Sequence, residues 1–461
     1  MKFTVLWVSL TLALFMAEYT IPKNSLAASH EAEFGQLQNT LTEETLREAA
    51  RDNPTDPLTL DWALDAAINH HPSLGATWHE IKARQGQAQQ AGLPANPTLF
   101  GEIEEFGGSG DYAGTNAMSS KIGISQEFQL GGKITKRVHE AEGAIKIADL
   151  KHQVEIIEIK AQVEKRFFEV FALQELLSLQ EEQVELISKV HDVVLKRVKA
   201  GDTSSLDLAK SQVELAMAEV EVEQTRKKFE AAKYVLASSW GAKFPRFSKI
   251  SAQYIPAPSY TEDELIEAIR KSAAWHLREA QLAVADATLN LALSERFPDL
   301  ELEGGIQHFN ETDDHAFFMG ISIPLPLFNR NQGGIAEAKA LSRKVYYESE
   351  AGHLALYTEL QEAWQNLASS KKAVQSLESS VLPIAQNAYE SINKAYKAGE
   401  LDILSLLDAQ RTWVETRRTH LNLLRELEIS RIEIERLIGK EATPAPLLPP
   451  NNNETTEKDL S

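Results

Sequence analysis

Lys199-Ala200-Gly201-Asp202, followed by Leu206, Leu208 and Gln212, recurs as Lys397-Ala398-Gly399-Glu400, followed by Leu404, Leu406 and Gln410. The offset, 198 residues from Lys199 to Lys397, holds without a gap down to Gly241 and Gly439. A repeat of that length copies whole structural units. Upstream, Pro97-Thr98-Leu99 matches Pro298-Asp299-Leu300, and Gly123-Ile124-Ser125 matches Gly320-Ile321-Ser322. Each unit predicts a helix, two short strands, a very long helix, a glycine turn and a return helix. No ordinary enzyme fold follows that plan.

No proline occurs between Thr98 and Phe244. Beginning after Gly131-Gly132, apolar positions Val138, Ala141, Ile145 and Ala148, then Val154, Ile157 and Ala161, recur at helical steps. A helix from there to Lys199 measures roughly 100 Å at ~1.5 Å per residue, too long for a compact domain. Gly201 stops it, and Ser204 or Ser205 caps a return helix. The predicted order is a first repeat over 58–241, with its helical hairpin at 133–240, a proline-bearing linker at 242–262, and a second repeat over 263–440, with its hairpin at 334–438. Thr59 caps a first helix running to about Leu93, and a helix over 263–295 is its counterpart. Pro383 lies within the second long helix, 334–397, where it removes a backbone hydrogen bond and predicts a kink that the first hairpin lacks. Residues 28–57 suggest a loosely held extension. The tail 441–461, with Pro444, Pro446, Pro449 and Pro450, suggests disorder.

In steps of two, Phe317, Met319, Ile321, Ile323, Leu325 and Leu327 form one parity, against Ala316, Gly320, Ser322, Pro324 and Pro326 in the other. Ile122, Ile124, Phe128 and Leu130 alternate likewise with Lys121, Gly123, Glu127 and Gln129. Period two with one apolar face is a strand signature. Strands are expected over 98–106, 117–130, 299–309 and 316–327, with Gly107–Asp111 and Asn310–Asp314 as polar hairpin tips. Their length, about nine to eleven residues, suits a tilted transmembrane strand. About eight strands are the smallest set that closes a barrel, so four must be completed by other subunits.

The formal net charge of −20 argues against nucleic acid and suits a lumen or partner that handles cations, although a solvated acidic surface accounts for it equally. Lys2 and the apolar run Phe3 to Met16, ending near Ser25-Leu26-Ala27-Ala28, read as a Sec signal peptide over 1–27. Cysteine is absent, which removes disulfides, thiolate metal sites and a lipidated N-terminal cysteine. His70-His71 is the one adjacent histidine pair. Without a second histidine one helical turn away it ends a helix before Pro72, so neither a metal site nor a cofactor is expected.

The chain resembles the outer-membrane efflux proteins of the TolC type over about 58–440. The resemblance rests on Leu58-Thr59-Leu60 with Ala63-Leu64 and His71-Pro72, on Pro94 through Leu99, and on both Lys-Ala-Gly turns. Ile124-Ser125-Gln126-Glu127-Phe128 before Gly131-Gly132-Lys133, and the run from Gly320 to Gly333, are similar to the cobalt, zinc and cadmium resistance branch. The resemblance implies a mainly α protein with a small transmembrane β portion. It implies a homotrimer with a twelve-stranded barrel in the outer-membrane lipid and a helical tunnel in the periplasm. It also implies a periplasmic adaptor, a proton-driven inner-membrane pump of the resistance-nodulation-division class, and no catalysis.

The turns bearing Lys199, Gly201 and Asp202, and Lys397, Gly399 and Glu400, are then the tips that meet the adaptor. Asp408 corresponds to an acidic lumen-facing position, which threefold symmetry would make a carboxylate ring. Ser405 stands where a second acidic residue is common. Asp207 corresponds to a position that in some members bridges to a basic residue; that partner is replaced here by Leu401, so no bridge is expected. Two alternatives stay open: a soluble periplasmic coiled-coil adaptor or scaffold, and a duct for drugs or secreted proteins. An enzyme with a carboxylate site is remote, because no nucleophile elbow or phosphate loop is present.

Overall fold

The computed structural model describes residues 54–256 and 258–439; the signal segment, residues 28–53 of the extension and the tail lie outside the described residues. The chain is mainly helical, with one small antiparallel sheet and a duplicated plan. The first unit contains α1 (Leu60–His70), α2 (Pro72–Ala91), β1 (Thr98–Glu104), β2 (Ser119–Phe128), α3 (Lys133–Ala200) and α4 (Ser205–Ala237). The second contains α5 (Glu262–Arg270), α6 (Ala273–Ser294), β3 (Leu300–Phe309), β4 (Asp314–Ser322), α7 (Gln332–Ser376), α8 (Leu382–Lys397) and α9 (Ile403–Ile438).

Three expectations need correction. The single helices placed upstream of each strand pair are broken in two. Thr59 does cap α1, but the chain turns at His71, whose Nδ1 accepts from Ser73 N–H as Pro72 opens α2. In the second unit Lys271 and Ser272 separate α5 from α6. The second long helix is also not one helix, because a π turn over Leu377–Val381 divides α7 from α8. Pro383 has no N–H for the carbonyl four residues back, and just before it Leu382 N–H reaches five residues back to Leu377. Finally, β4 begins at Asp314 and stops at Ser322, since Pro324 and Pro326 cannot donate to a ladder. β1 and β2 are likewise shorter than expected.

The sheet order is β1-β2-β3-β4, all antiparallel, so the β2–β3 ladder joins the two repeats. Directly paired residues share a face. One face carries Leu99, Ile103, Ile122, Ile124, Leu302, Ile306, Phe317, Met319 and Ile321. It is uncovered: Phe317 is 88% exposed and Met319 93%. The other face carries Glu102, Lys121, Ser125, Glu301, Glu303 and Gln307, with Phe100 and Phe318 6.1 Å apart over the facing pair Gly123 and Gly305. At the sheet's base, Asp299 accepts from Leu130 N–H and pairs with Lys133 at 2.7 Å, fastening α3 to β3.

The main core lies midway along the helices. Val163, Phe167, Phe168 and Val170 of α3 are buried with Leu236, Trp240, Leu58 and Ile250. A matching cluster joins Leu265, Ile269, Leu360, Leu367, Ile434 and Leu437 in the second unit. Toward the tips the burial narrows to a seam. Gln180, Ile187 and Val194 on α3, and Ser211, Ala218 and Thr225 on α4, are buried every seven residues, the spacing of coiled-coil packing. The described end of the expected loose extension, residues 54–57, is held firmly together with Leu58. Asp56 accepts from Ser248 and Lys249, which keeps its carboxyl below the usual carboxylate range, and Leu58 exchanges backbone hydrogen bonds with Lys249 and Ser251.

Candidate functional site at the hairpin tips

Both tips close by the same device. α3 ends at Gly201 (φ 84°), where Gly201 N–H donates to Val198 O and Asp202 N–H to Arg197 O. The second hairpin ends at Gly399 (φ 79°), where Gly399 N–H donates to Tyr396 O and Glu400 N–H to Ala395 O. These are the two bonds of a Schellman stop, which needs a left-handed residue and so favours glycine. Lys199, Gly201, Asp202, Lys397, Gly399 and Glu400 are all exposed.

The return helices are capped by the same two residue types in opposite order. Ser204 caps α4 and accepts from Asp207 N–H, while the Asp207 carboxylate accepts from Thr203 and Ser204 hydroxyls at 2.9 Å. In α9, Asp402 is the cap, accepting from Ser405 N–H at 2.9 Å and Ser405 Oγ at 2.6 Å. Asp207 and Ser405 are therefore the hydrogen-bond partners of the caps Ser204 and Asp402. The hydroxyl donors, Thr203 then Ser204, hold Asp207 below the usual range, and Ser405 does the same for Asp402, opposed in part by the negative charge of Asp207 nearby. Asp402 escaped the sequence reading, although an aspartate three residues before a serine at a helix start is a capping signal.

The sign of the pH dependence follows. Both carboxyl pKa values are depressed by folding, so their stabilisation is present above the ordinary aspartate value of about 3.9 and is lost as pH falls through the lower folded values. Below about pH 4, amide exchange at residues 203–210 and 402–409 is expected to accelerate while residues 160–172 stay protected. Hydrogen exchange at pH 3 and pH 6, extrapolated to a common intrinsic rate, checks this.

Between the tips Val194, Tyr396, Ile403 and Leu406 form a third apolar cluster. Beside it a hollow of about 580 Å³ opens between α3 and α8, lined among others by Val190, Val193, Arg197, Tyr389, Tyr396 and Lys397. Tyr396 Oη and Gln410 Nε2 are buried there without a hydrogen-bond partner among the described residues. Asp408 lies on α9 one turn beyond Ser405 and is exposed. Among the described residues no group of three or more His, Cys, Asp or Glu is arranged to hold a metal ion.

Above the tips an arginine series on α9 locks the two hairpins together. Arg411 and Arg418 pair with Glu214 and Glu221 of α4; Arg417, Arg425, Arg431 and Arg436 pair with Glu182, Glu169, Glu164 and Glu158 of α3. The sequence reading missed this series, though Arg411, Arg418 and Arg425 stand seven residues apart.

An unclosed sheet with an uncovered apolar face, set on two helical hairpins the longer of which spans about 100 Å, defines an outer-membrane channel protomer. Residues 63–242 and 272–440 match the Outer membrane efflux protein family, and the chain belongs to that family. It is thus an outer-membrane efflux component, not an enzyme. It is similar to the cobalt-zinc-cadmium resistance protein CzcC of Cupriavidus metallidurans, 30% identical over 385 residues that cover 83% of this chain and 90% of that protein. The cation efflux system protein CusC of Escherichia coli K12 is 24% identical over 422 residues, 81% of this chain and 85% of the relative. Among solved structures, the outer membrane protein VceC of Vibrio cholerae superposes with a TM-score of 0.70 at 18% identity, covering 82% of this chain and 96% of that one.

Proposed function

We propose that three copies close a twelve-stranded barrel and a helical tunnel that exports heavy-metal cations, joined at the tips to a periplasmic adaptor and through it to a proton-driven inner-membrane pump. The open four-stranded sheet carries this reading, because its apolar face and two free edges have no occupant among the described residues. Similarity to cation-resistance proteins supports the cargo, and the exposed Lys-Ala-Gly turns with the adjoining hollow supply an adaptor surface.

In this assembly Asp408 forms a carboxylate ring that favours cations. In planar bilayers, Asp408→Ala channels are expected to be blocked by divalent cations at roughly ten-fold higher concentration than wild type, the worth of about 1.4 kcal/mol. Unchanged block would remove Asp408 from the lumen. Cells lacking the protein should regain tolerance to cobalt, zinc or cadmium with the wild-type gene; recovery of drug tolerance alone would reassign the cargo.

The π turn before Pro383 is the hinge at which the second hairpin splays. Pro383→Ala restores the missing donor and is expected to slow amide exchange over residues 377–383 several-fold and to lower channel opening. Wild-type exchange and conductance in the variant would exclude a hinge here.

A further inference from the structure

The segment after β4, Ile323-Pro324-Leu325-Pro326-Leu327-Phe328, is held in shape by its own bonds: Leu327 N–H donates to Leu325 O at 2.8 Å, and Arg330 Nε donates to Pro326 O at 3.0 Å. Among the described residues its apolar side chains are nevertheless left open, with Leu325 76% exposed and Phe328 90%. A fixed backbone presenting bare apolar groups is a surface awaiting a partner. The two prolines cannot donate, so the segment is guarded against indiscriminate strand pairing.

Ladder registers locate the partner. Thr98 pairs with Ser125, Ser125 with Glu303, and Glu303 with Gly320, so Thr98 and Gly320 mark one level at opposite edges of the sheet. Residues 323–328 overhang the start of β1. When the β4 edge of one copy meets the β1 edge of the next, that overhang falls beside the stretch leading into β1, Leu93 to Thr98, with the stagger of a closed barrel shifting the register along it. At that place the chain has a hollow of about 490 Å³ lined by Gln87, Gln90, Leu93, Pro94, Gln129 and Arg137 among others. Leu93 is exposed, and Arg137 Nε is buried without a partner among the described residues.

We infer that residues 323–328 form a strap that docks on the neighbouring copy, with Phe328 entering the hollow beside Leu93 and a strap carbonyl reaching Arg137. This rests on the multimeric barrel proposed above and adds the contact that locks its base.

The chain has no cysteine, so introduced thiols report alone. Two double variants of the full protein, Phe328→Cys with Leu93→Cys and Phe328→Cys with Gln90→Cys, are oxidised in membranes and run without reductant. Disulfide-linked dimers and trimers from at least one pair are expected. Phe328→Ser should lower the detergent stability of the assembly roughly ten-fold or more, the worth of one buried aromatic side chain. Intact trimers by native mass with no crosslink in either pair, and an unaffected Phe328→Ser, would mean the strap faces lipid and would overturn the inference. A monomeric wild type would overturn the barrel reading together with it.

Discussion

Arg431→Ala is expected to destabilise the folded protein by about 3–5 kcal/mol, a large share of the roughly 5–15 kcal/mol that holds a typical domain together. Arg431 is buried at the junction of the two repeats. It donates to Glu428 at 2.7 Å and to Glu164 at 3.4 Å, and pairs with Glu435. Glu428 is only 1% exposed, and its other oxygen accepts Ile255 N–H, tying the linker to α9. Removing the guanidinium leaves three carboxylates in a site where burial already raises the Glu164 carboxyl pKa against the pull of Arg431. In the variant the Glu164 carboxyl, freed from the pull of Arg431, rises further. Its neutral form then stabilises the fold at low pH, and that stability is lost as pH climbs through the raised value. Denaturant unfolding at pH 5 and pH 8 should show the larger deficit at pH 8. Equal deficits at both would mean that packing, not uncompensated charge, carries the effect, and Arg431→Met with Glu428→Gln should recover part of it.

Gly305→Ala is expected to prevent the sheet from forming. A Cβ at Gly305 would collide with the Ile122 carbonyl oxygen and lie 2.6 Å from Gly123 Cα and 2.8 Å from Phe318 Cε1. Overpacking costs about 1–3 kcal/mol where neighbours can shift. Here the obstruction is ladder backbone, so the cost exceeds that range. Because β2–β3 is the ladder joining the repeats, its loss separates the two strand pairs. Gly320 is the control, since its Cβ would meet the flexible Glu303 side chain. Heat-modifiable trimer in outer-membrane fractions should vanish for Gly305→Ala and persist for Gly320→Ala. Trimer in both would contradict the steric argument.

The long helices and strand faces were legible because they depend on local periodicity: a proline-free stretch with apolar steps of three and four, and alternation of period two. The glycine stops were legible because a left-handed turn leaves few residue choices. Chain breaks at His71 and Ser272 were harder, since only Pro72 marked one of them. Strand β4 was overextended because Leu325 and Leu327 continue the apolar parity past prolines that end the ladder. Asp207 and Ser405 bond to the caps Ser204 and Asp402 three residues before them, a pairing that becomes visible only once the helix starts are fixed. The arginine series needs two distant helices in register, which no single-helix pattern reveals.

Native mass spectrometry of the protein extracted in mild detergent from outer-membrane fractions is the most direct test of the assembly. Three copies per particle from the outer-membrane fraction are predicted, matching the strands needed to close a barrel. A monomer recovered from the soluble periplasm would contradict the account and favour a coiled-coil scaffold.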